Sequence, residues 1–538
     1  MGFVMKNKVI VIGGGLAGMV AALAAHKEGA ETILIDRGSV GLGTNTALAG
    51  GVFAGPTTGY SREEYIKETL EIGRMINCES RVRLVANKAP QAFEFLRSTG
   101  LPVMETHGIY ALRTQNLNVI PGMLLVKNIA EKIEKLKNVK IATHFYVTEI
   151  LQDKNRVYGV KGFDKNGKEE IINAHAVVLA TGGAGAMYLV NDNQKNTMGQ
   201  GFRLAAHAGL DLRDMEFVQF YPIMLAEKHL PSMIAYPPFS EKIRLINYSG
   251  EDILKKHNLG NLNEAIRKKR DEFSGLLFNE ALTGGVYMDF RGVPSSAWDK
   301  YPLNLYAKLK FDFCTKPVKV SPAVHFFMGG VETDESALTS LSGLFACGEV
   351  AWGLHGANRR GGNALTECLV MGRIAGQNAA GYGASSVQTE RDDLKLKKSK
   401  IAAPASGPLE MTSRESRAKQ ANGVSFKELR QQIREVAWNN AGISRYEKGL
   451  RDGLAAVGKI DAQLNVIAPR NVHEKRLKED LLSASFVLKA ILVASLGRKE
   501  SRGSFQRKDF PHEDNKNRQK NSCLSYDPEQ GDFLLRYV

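Results

Sequence analysis

Cysteine is scarce in this chain, and paired cysteine is absent. Cys78, Cys314, Cys347, Cys368 and Cys523 are scattered over 538 residues, and none forms a C-x-x-C pair. No disulfide framework is expected, nor a zinc or iron–sulfur site built by this chain alone. Long apolar runs are missing too. The nearest approach is Val9–Ala25, interrupted by Gly13, Gly14, Gly15 and Gly18, short of the ~18–20 residues of a membrane span. No cleavage-site pattern follows it, so a cytoplasmic protein is expected rather than a secreted one. Acidic residues are the third shortage, 57 against 72 basic ones, which leaves a net charge of +15. Basic residues are spread out, with local density at Lys395–Lys400 and Arg498–Lys520. No nucleic-acid motif accompanies them, so a solvated basic surface is expected, suited at most to docking an acidic protein.

Glycine is plentiful, and its placement is informative. Lys8-Val9-Ile10-Val11-Ile12 reads as a buried strand. Gly13-Gly14-Gly15-Leu16-Ala17-Gly18 follows, then a helical stretch through Ala25. This is G-x-G-x-x-G in a strand–turn–helix context. Gly13 permits the turn, Gly15 lets the backbone approach a pyrophosphate, and Gly18 lets helix and sheet pack closely. The helix N-terminus faces the phosphates with its positive end. A second strand, Thr32–Ile35, ends at Asp36, 18 residues after Gly18, near the ~20 expected of the acid that binds a ribose hydroxyl. The unit predicts a dinucleotide but does not separate FAD from NAD.

Further segments stand out along the chain. They are Thr46-Ala47-Leu48-Ala49-Gly50-Gly51, Ala176-Val177-Val178-Leu179-Ala180-Thr181-Gly182-Gly183, Asp214–Phe220 and Pro322–Gly330. Gly343–Glu349, His355–Leu365, Glu500-Ser501-Arg502-Gly503 and Asp509-Phe510-Pro511 complete the set. In this order they resemble the flavoprotein subunits of succinate dehydrogenase and fumarate reductase and the related L-aspartate oxidases. The resemblance covers about residues 8 to 511 and implies FAD. Gly13, Gly15, Gly18, Asp36, Thr46, Gly50, Gly51, Thr181 and Gly182 become its binding residues. Gly348-Glu349 would contact the ribityl chain, and Asn363-Ala364-Leu365 the isoalloxazine edge. Members that attach FAD covalently carry a histidine just before the Gly-Gly segment. Thr44 stands there, so non-covalent FAD is expected.

The resemblance also implies a small anionic substrate. In the family a dicarboxylate lies between flavin and a capping domain, held by two histidines, a threonine and an arginine. A second arginine delivers a proton while flavin N5 delivers hydride. His325, in H-x-x-M-G-G, and Arg359, in H-G-A-N-R, match two of these groups. Arg359 suits a bidentate grip on a carboxylate, with Arg360 taking its place if the register slips by one. The cap side departs from the pattern. Tyr221 stands at the first histidine, about Ala235 at the threonine, and Phe239 at the proton donor. The family's G-D-G reads Gly199-Gln200-Gly201. Tyr221, Lys242 and Arg244 remain as proton donors, and Tyr236–Phe239 suggests a more apolar pocket than a dicarboxylate wants.

The expected fold is α/β: a Rossmann-like FAD-binding domain with an inserted α+β capping domain and a C-terminal helical domain. Residues 1–224 and 321–383 would form the FAD domain, 225–320 the cap, 384–424 a linker and 425–538 the helical domain. Helical spacing is expected over Phe426–Gln463 and Lys475–Leu496. The expected activity is FAD-dependent hydride transfer at a C–C bond beside a carboxylate or carbonyl. Electrons would be exchanged with an iron–sulfur partner, which leaves room for peripheral membrane association through that partner. The alternatives are an L-aspartate-oxidase-like amino-acid oxidase and a flavin electron-transfer protein with a decayed substrate site.

Overall fold

The computed structural model describes residues 7–113, 119–235, 239–268, 270–299, 303–397 and 424–538. Its centre is a five-stranded parallel sheet, ordered Leu344–Ala346, Ala176–Leu179, Lys8–Ile12, Glu31–Ile35, Val139–Ala142. These strands are near-continuous apolar runs because both faces are covered, one by helices and the other by the antiparallel sheet of Tyr146–Asp153, Arg156–Phe163 and Glu169–Asn173. The first strand feeds the helix Leu16–Lys27, and the helix Asn363–Lys397 packs along it. Gly372 and Gly376 make that approach possible: a Cβ on either would lie 2.6 or 2.1 Å from the carbonyl oxygen of Ala17 or Ala21.

The cap has its own antiparallel sheet, ordered Val218–Leu225, Val318–Phe327, Val286–Asp289, Arg244–Asn247. Tyr221, Leu245, Phe273, Leu277, Met288 and Val318 belong to its separate apolar core. The strands Val218–Leu225 and Val318–Phe327 carry the chain into and out of the cap. Their pairing slips between Gln219↔Phe326 and Phe220↔Val324, so His325 has no opposite residue. A bulge of this kind re-aims a side chain.

Three helices follow, Phe426–Asn440, Glu447–Val466 and Val472–Gly497. The stretch expected as one helical run over Phe426–Gln463 is therefore two helices, parted at Ala441–Tyr446. The last helix is the one among the described residues that is long and apolar enough to cross a membrane, but 67% of its apolar window is buried. It is packed as a core helix. The expected linker also needs correcting. The helix from Asn363 runs on to Lys397, since 384–397 contains neither glycine nor proline, and 398–423 lie outside the described residues. The helical reading of 425–538 fails beyond Gly497. There the chain ends in a hairpin, Ser522–Asp527 with Asp532–Tyr537, that joins Leu212–Arg213 of the FAD domain. Its turn, Asp527-Pro528-Glu529-Gln530-Gly531, is a recognisable hairpin signal.

A buried ionic network ties these parts together. Arg498 Nε donates to Glu216 Oε1 at 2.6 Å, and its Nη1 to Glu500 Oε1 at 2.8 Å. Arg502 Nε donates to the same Glu500 oxygen, and Ser522 Oγ to Glu216. Trp352 Nε1 and Asn521 Nδ2 both donate to Asp214. Burial and the adjacent Glu216 push the Asp214 carboxyl up to about 7. Two sequence segments far apart, Asp214–Phe220 and Glu500–Gly503, thus form one node beneath the strand that starts at Val218. Removing one partner of such a pair leaves the other charge buried alone. Arg498→Ala should cost about 3–5 kcal/mol, read as a lowered denaturation midpoint of the holoprotein. An unchanged midpoint would mean that the network is not what holds the C-terminal segment.

Candidate active site

A cleft opens beyond the carboxyl ends of the central strands, where open α/β sheets place ligands. Gly13, Gly15, Asp36, Thr46, Thr181, Gly182, Gly348 and Glu349 all line it. Asp36, buried, accepts from Gly14 N and Gly38 N, both at 2.7 Å. Burial raises its pKa. Thr46 Oγ1 accepts from Leu16 N at 3.2 Å and so caps the first helix, whose own N-cap residue, Gly15, has no side chain.

The three fingerprint glycines differ in why they must be glycine. At Gly13 (φ +114°) a Cβ would lie 2.2 Å from Ala180 O, and at Gly18 a Cβ would lie 1.9 Å from Gly13 O. Internal packing explains both. Gly18 stands behind the turn and is not among the cleft residues. At Gly15 the nearest atom to a Cβ is 3.6 Å away, so the protein itself leaves room there, facing the cleft. Thr181 Oγ1 is buried without a hydrogen-bond partner. An acceptor for ribose hydroxyls, an open glycine at a helix N-terminus and an unused hydroxyl fit a dinucleotide cofactor.

Other expected cofactor residues stand outside this cleft. Gly51 packs against Pro121 and Leu112, and the segment meets the cleft through Gly43–Thr46 rather than through Gly50 and Gly51. Asn363 opens the long helix with Oδ1 accepting from Tyr65 OH, and its Nδ2 is buried without a partner. Ala364 packs beside the cluster of Phe326 and Ala357, and Leu365 lies in the core of the FAD domain. Thr44 and Gln200 do line the cleft.

Beyond Glu349 lies a second cluster. Glu349 Oε1 accepts from Phe327 N at 3.1 Å, and loss of water pushes its carboxyl up to about 7. Arg359 is 6% exposed, and its Nε donates to Gln219 Oε1 at 3.1 Å. Its guanidinium lies 4.5 Å over the Phe326 ring. Gln219 is held in turn by donating to Asn358 and to the Arg359 carbonyl. Among the described residues, the terminal nitrogens of Arg359 have no partner and no carboxylate pairs with it. Burial, aided by Arg270, lowers its pKa to about 9, so it remains a cation at neutral pH. His325 Nδ1 meets Asp192 Oδ2 at 2.7 Å, which orients the ring. Burial lowers its pKa against the pull of Asp192.

Arg270 was not anticipated. It opens the helix Arg270–Leu282, which is fixed to the strand below by Ser274 Oγ donating to Phe220 O. Its guanidinium lies 5.7 Å over the Tyr221 ring, with Nε buried and unpartnered. Gly361 leaves room for it: a Cβ there would be 3.0 Å from its Nη2. Burial depresses its pKa. In sequence Arg270 ends a basic run from Arg267, which reads as a solvated face.

The expected proton donors fare differently. Arg244 is on an edge strand, 53% exposed and paired with Asp289 at 2.6 Å. It is not at the site, and Lys242 is exposed beside it. Tyr221 is at the site, its ring 5.6 Å from that of His325, but its hydroxyl donates to Ala235 O. Burial raises its pKa well above the usual value. Phe239 is packed in the cap core, and Tyr236, Pro237 and Pro238 lie outside the described residues. Arg360 turns away to Glu68 at 2.8 Å and the rings of Tyr60 and Tyr65, so the register at Arg359 does not slip. His355 is interior, bound to Glu367 at 3.0 Å.

Residues 8–365 match the FAD binding domain family, and residues 430–538 match the fumarate reductase flavoprotein C-terminal family. The chain belongs to the fumarate reductase flavoprotein family. An uncharacterized FAD-dependent oxidoreductase of Methanocaldococcus jannaschii is 30% identical, over 94% of each chain. A fumarate reductase (CoM/CoB) subunit of Methanothermobacter marburgensis is 28% identical, again over 94% of each. An L-aspartate oxidase of Pyrococcus horikoshii is 30% identical, over 94% of this chain and 96% of its own. The fold is that of a solved quinol-fumarate reductase with menaquinol, with a TM-score of 0.85 at 24% identity over 99% of this chain and 98% of that one. The protein is thus an FAD-dependent oxidoreductase of this family.

Gly15 provides a test of how the cleft is used. The Cβ of Gly15→Ala meets no protein atom closer than 3.6 Å, so the variant should fold with native circular dichroism and lose most of its flavin absorbance. Retention of stoichiometric FAD would show that the pyrophosphate lies elsewhere.

Proposed function

We propose that this protein transfers a hydride between FAD and a carbon–carbon bond beside a carboxylate. One observation carries the reading: two guanidiniums, Arg359 and Arg270, converge with His325 and lack carboxylate partners among the described residues. A buried cation without a direct salt bridge carries a desolvation cost that an anionic ligand relieves. When bound, FAD supplies or accepts the hydride. Arg359 grips the carboxylate through its two free terminal nitrogens, held in register by Gln219. His325, its Nδ1–H held by Asp192, donates to the same group from Nε2 as the imidazolium, a form that the bound carboxylate itself favours. Arg270, on the cap, holds and releases the proton, because desolvation makes its guanidinium a stronger acid than arginine in water. The cap above these groups excludes water from the reacting carbons.

We further propose that the electrons pass to or from an iron–sulfur protein, in line with a relative whose name makes it one part of a larger fumarate reductase. The FAD is held without a covalent bond, since Thr44 offers a hydroxyl that already donates to Gly41 O. An amino-acid oxidase reading is less well supported. An α-ammonium would need a free carboxylate, whereas Asp192 is engaged by His325 and burial pushes the Glu349 carboxyl up to about 7.

Arg270→Met should bind flavin normally and lower kcat by about 100- to 10,000-fold, with a smaller change in substrate Kd. Turnover at the wild-type rate would remove Arg270 from the chemistry. Acid precipitation should release all the FAD into the supernatant. Yellow colour retained in the pellet would mean a covalent link.

A further inference from the structure

We propose that the site takes one carboxylate joined to an apolar body, such as a 2-enoate with an alkyl or aryl end or its saturated counterpart, and discriminates against dicarboxylates. This rests on the reading of Arg359, His325 and Arg270 given above. Around the Tyr221 ring, the cationic groups that face a ligand are those of that cluster. If Arg270 carries the proton, Arg359 and His325 remain, enough for one carboxylate.

The wall opposite is of another kind. The Tyr221 ring faces both His325, at 5.6 Å, and the Arg270 guanidinium, at 5.7 Å. Its hydroxyl is turned into the cap, donating to Ala235 O at 3.1 Å. Ala235 is fully buried, its N–H donating to Ile223 O. Ile223, Ile234 and Phe239 back this wall in the cap core. The charged groups left nearby are Asp192 and Glu349, which would repel a second carboxylate. Burying that carboxylate without a cation is expensive, whereas an alkyl or aryl end loses nothing against an aromatic ring.

The reduction balances simply. A hydride from the reduced cofactor adds to the carbon β to the carboxylate, and a proton from Arg270 adds to the α carbon. The double bond becomes single, and the cofactor is oxidised by two electrons. Arg270 is reprotonated from solvent.

The test uses the holoprotein, reduced anaerobically and mixed with crotonate, trans-cinnamate or fumarate, with flavin reoxidation followed by stopped flow. Crotonate or cinnamate should exceed fumarate at least tenfold in kcat/KM. Tyr221→Phe should keep that preference, because the lost hydroxyl faces the cap. Tyr221→His puts a ring N–H into the wall and should narrow the preference at least tenfold. Flavin content reports whether either variant has folded, and the wild-type ratio decides the matter without them. Fumarate as fast as or faster than the monocarboxylates overturns the proposal and leaves the site reading intact. No reoxidation by any of the three, with flavin bound, overturns both.

Discussion

Arg359 is a buried guanidinium with one hydrogen bond and no carboxylate in salt-bridge contact among the described residues. Much of the architecture serves to keep it so. Gln219 and Asn358 hold its Nε edge, Phe326 supports its face, and Gly361 and Gly362 let the chain turn into the long helix beside it. Arg360, the next residue, takes the opposite direction and is neutralised by Glu68. Two adjacent arginines therefore have opposite fates: one is ion-paired within the protein, and the other is not. A protein gains nothing in stability from this arrangement. Under the proposed function, its value lies in binding an anion.

That cation can stay uncompensated only if its surroundings are rigid. Gln219 belongs to the strand that begins at Val218, and the buried node of Asp214, Glu216, Arg498, Glu500 and Arg502 lies directly before that strand. The C-terminal hairpin and helices close over the node. The last third of the chain thus acts on the site indirectly, by fixing the base of the strand that aims Gln219. The bulge at His325 on the neighbouring strand does the same for the imidazole.

What the residues revealed in advance follows from how local each feature is. The nucleotide turn is legible because its glycines fall in one strand–turn–helix unit and Asp36 ends the next strand, although the contact that demands Gly13 comes from Ala180, far along the chain. Arg359 was legible inside a dense motif. Arg270 was not, because only the packing of its helix on Phe220 turns the end of a basic run inward. Arg244 misled for the converse reason: an arginine near the expected position belongs to an edge strand and has Asp289 as its partner. The C-terminal hairpin has only the short turn Asp527–Gly531 as its signal, and it follows a long apolar helix, so the region reads as helical.

The claim that Arg359 is kept for a carboxylate can be measured without turnover. Oxidised holoprotein would be titrated with butyrate and with the neutral, nearly isosteric butyramide, and perturbation of the flavin spectrum recorded, for the wild type and for Arg359→Met. The account predicts saturable binding of butyrate to the wild type, much weaker binding of butyramide, and loss of that difference in the variant. Equal binding of acid and amide by the wild type, or an unchanged preference for the acid in Arg359→Met, would contradict it.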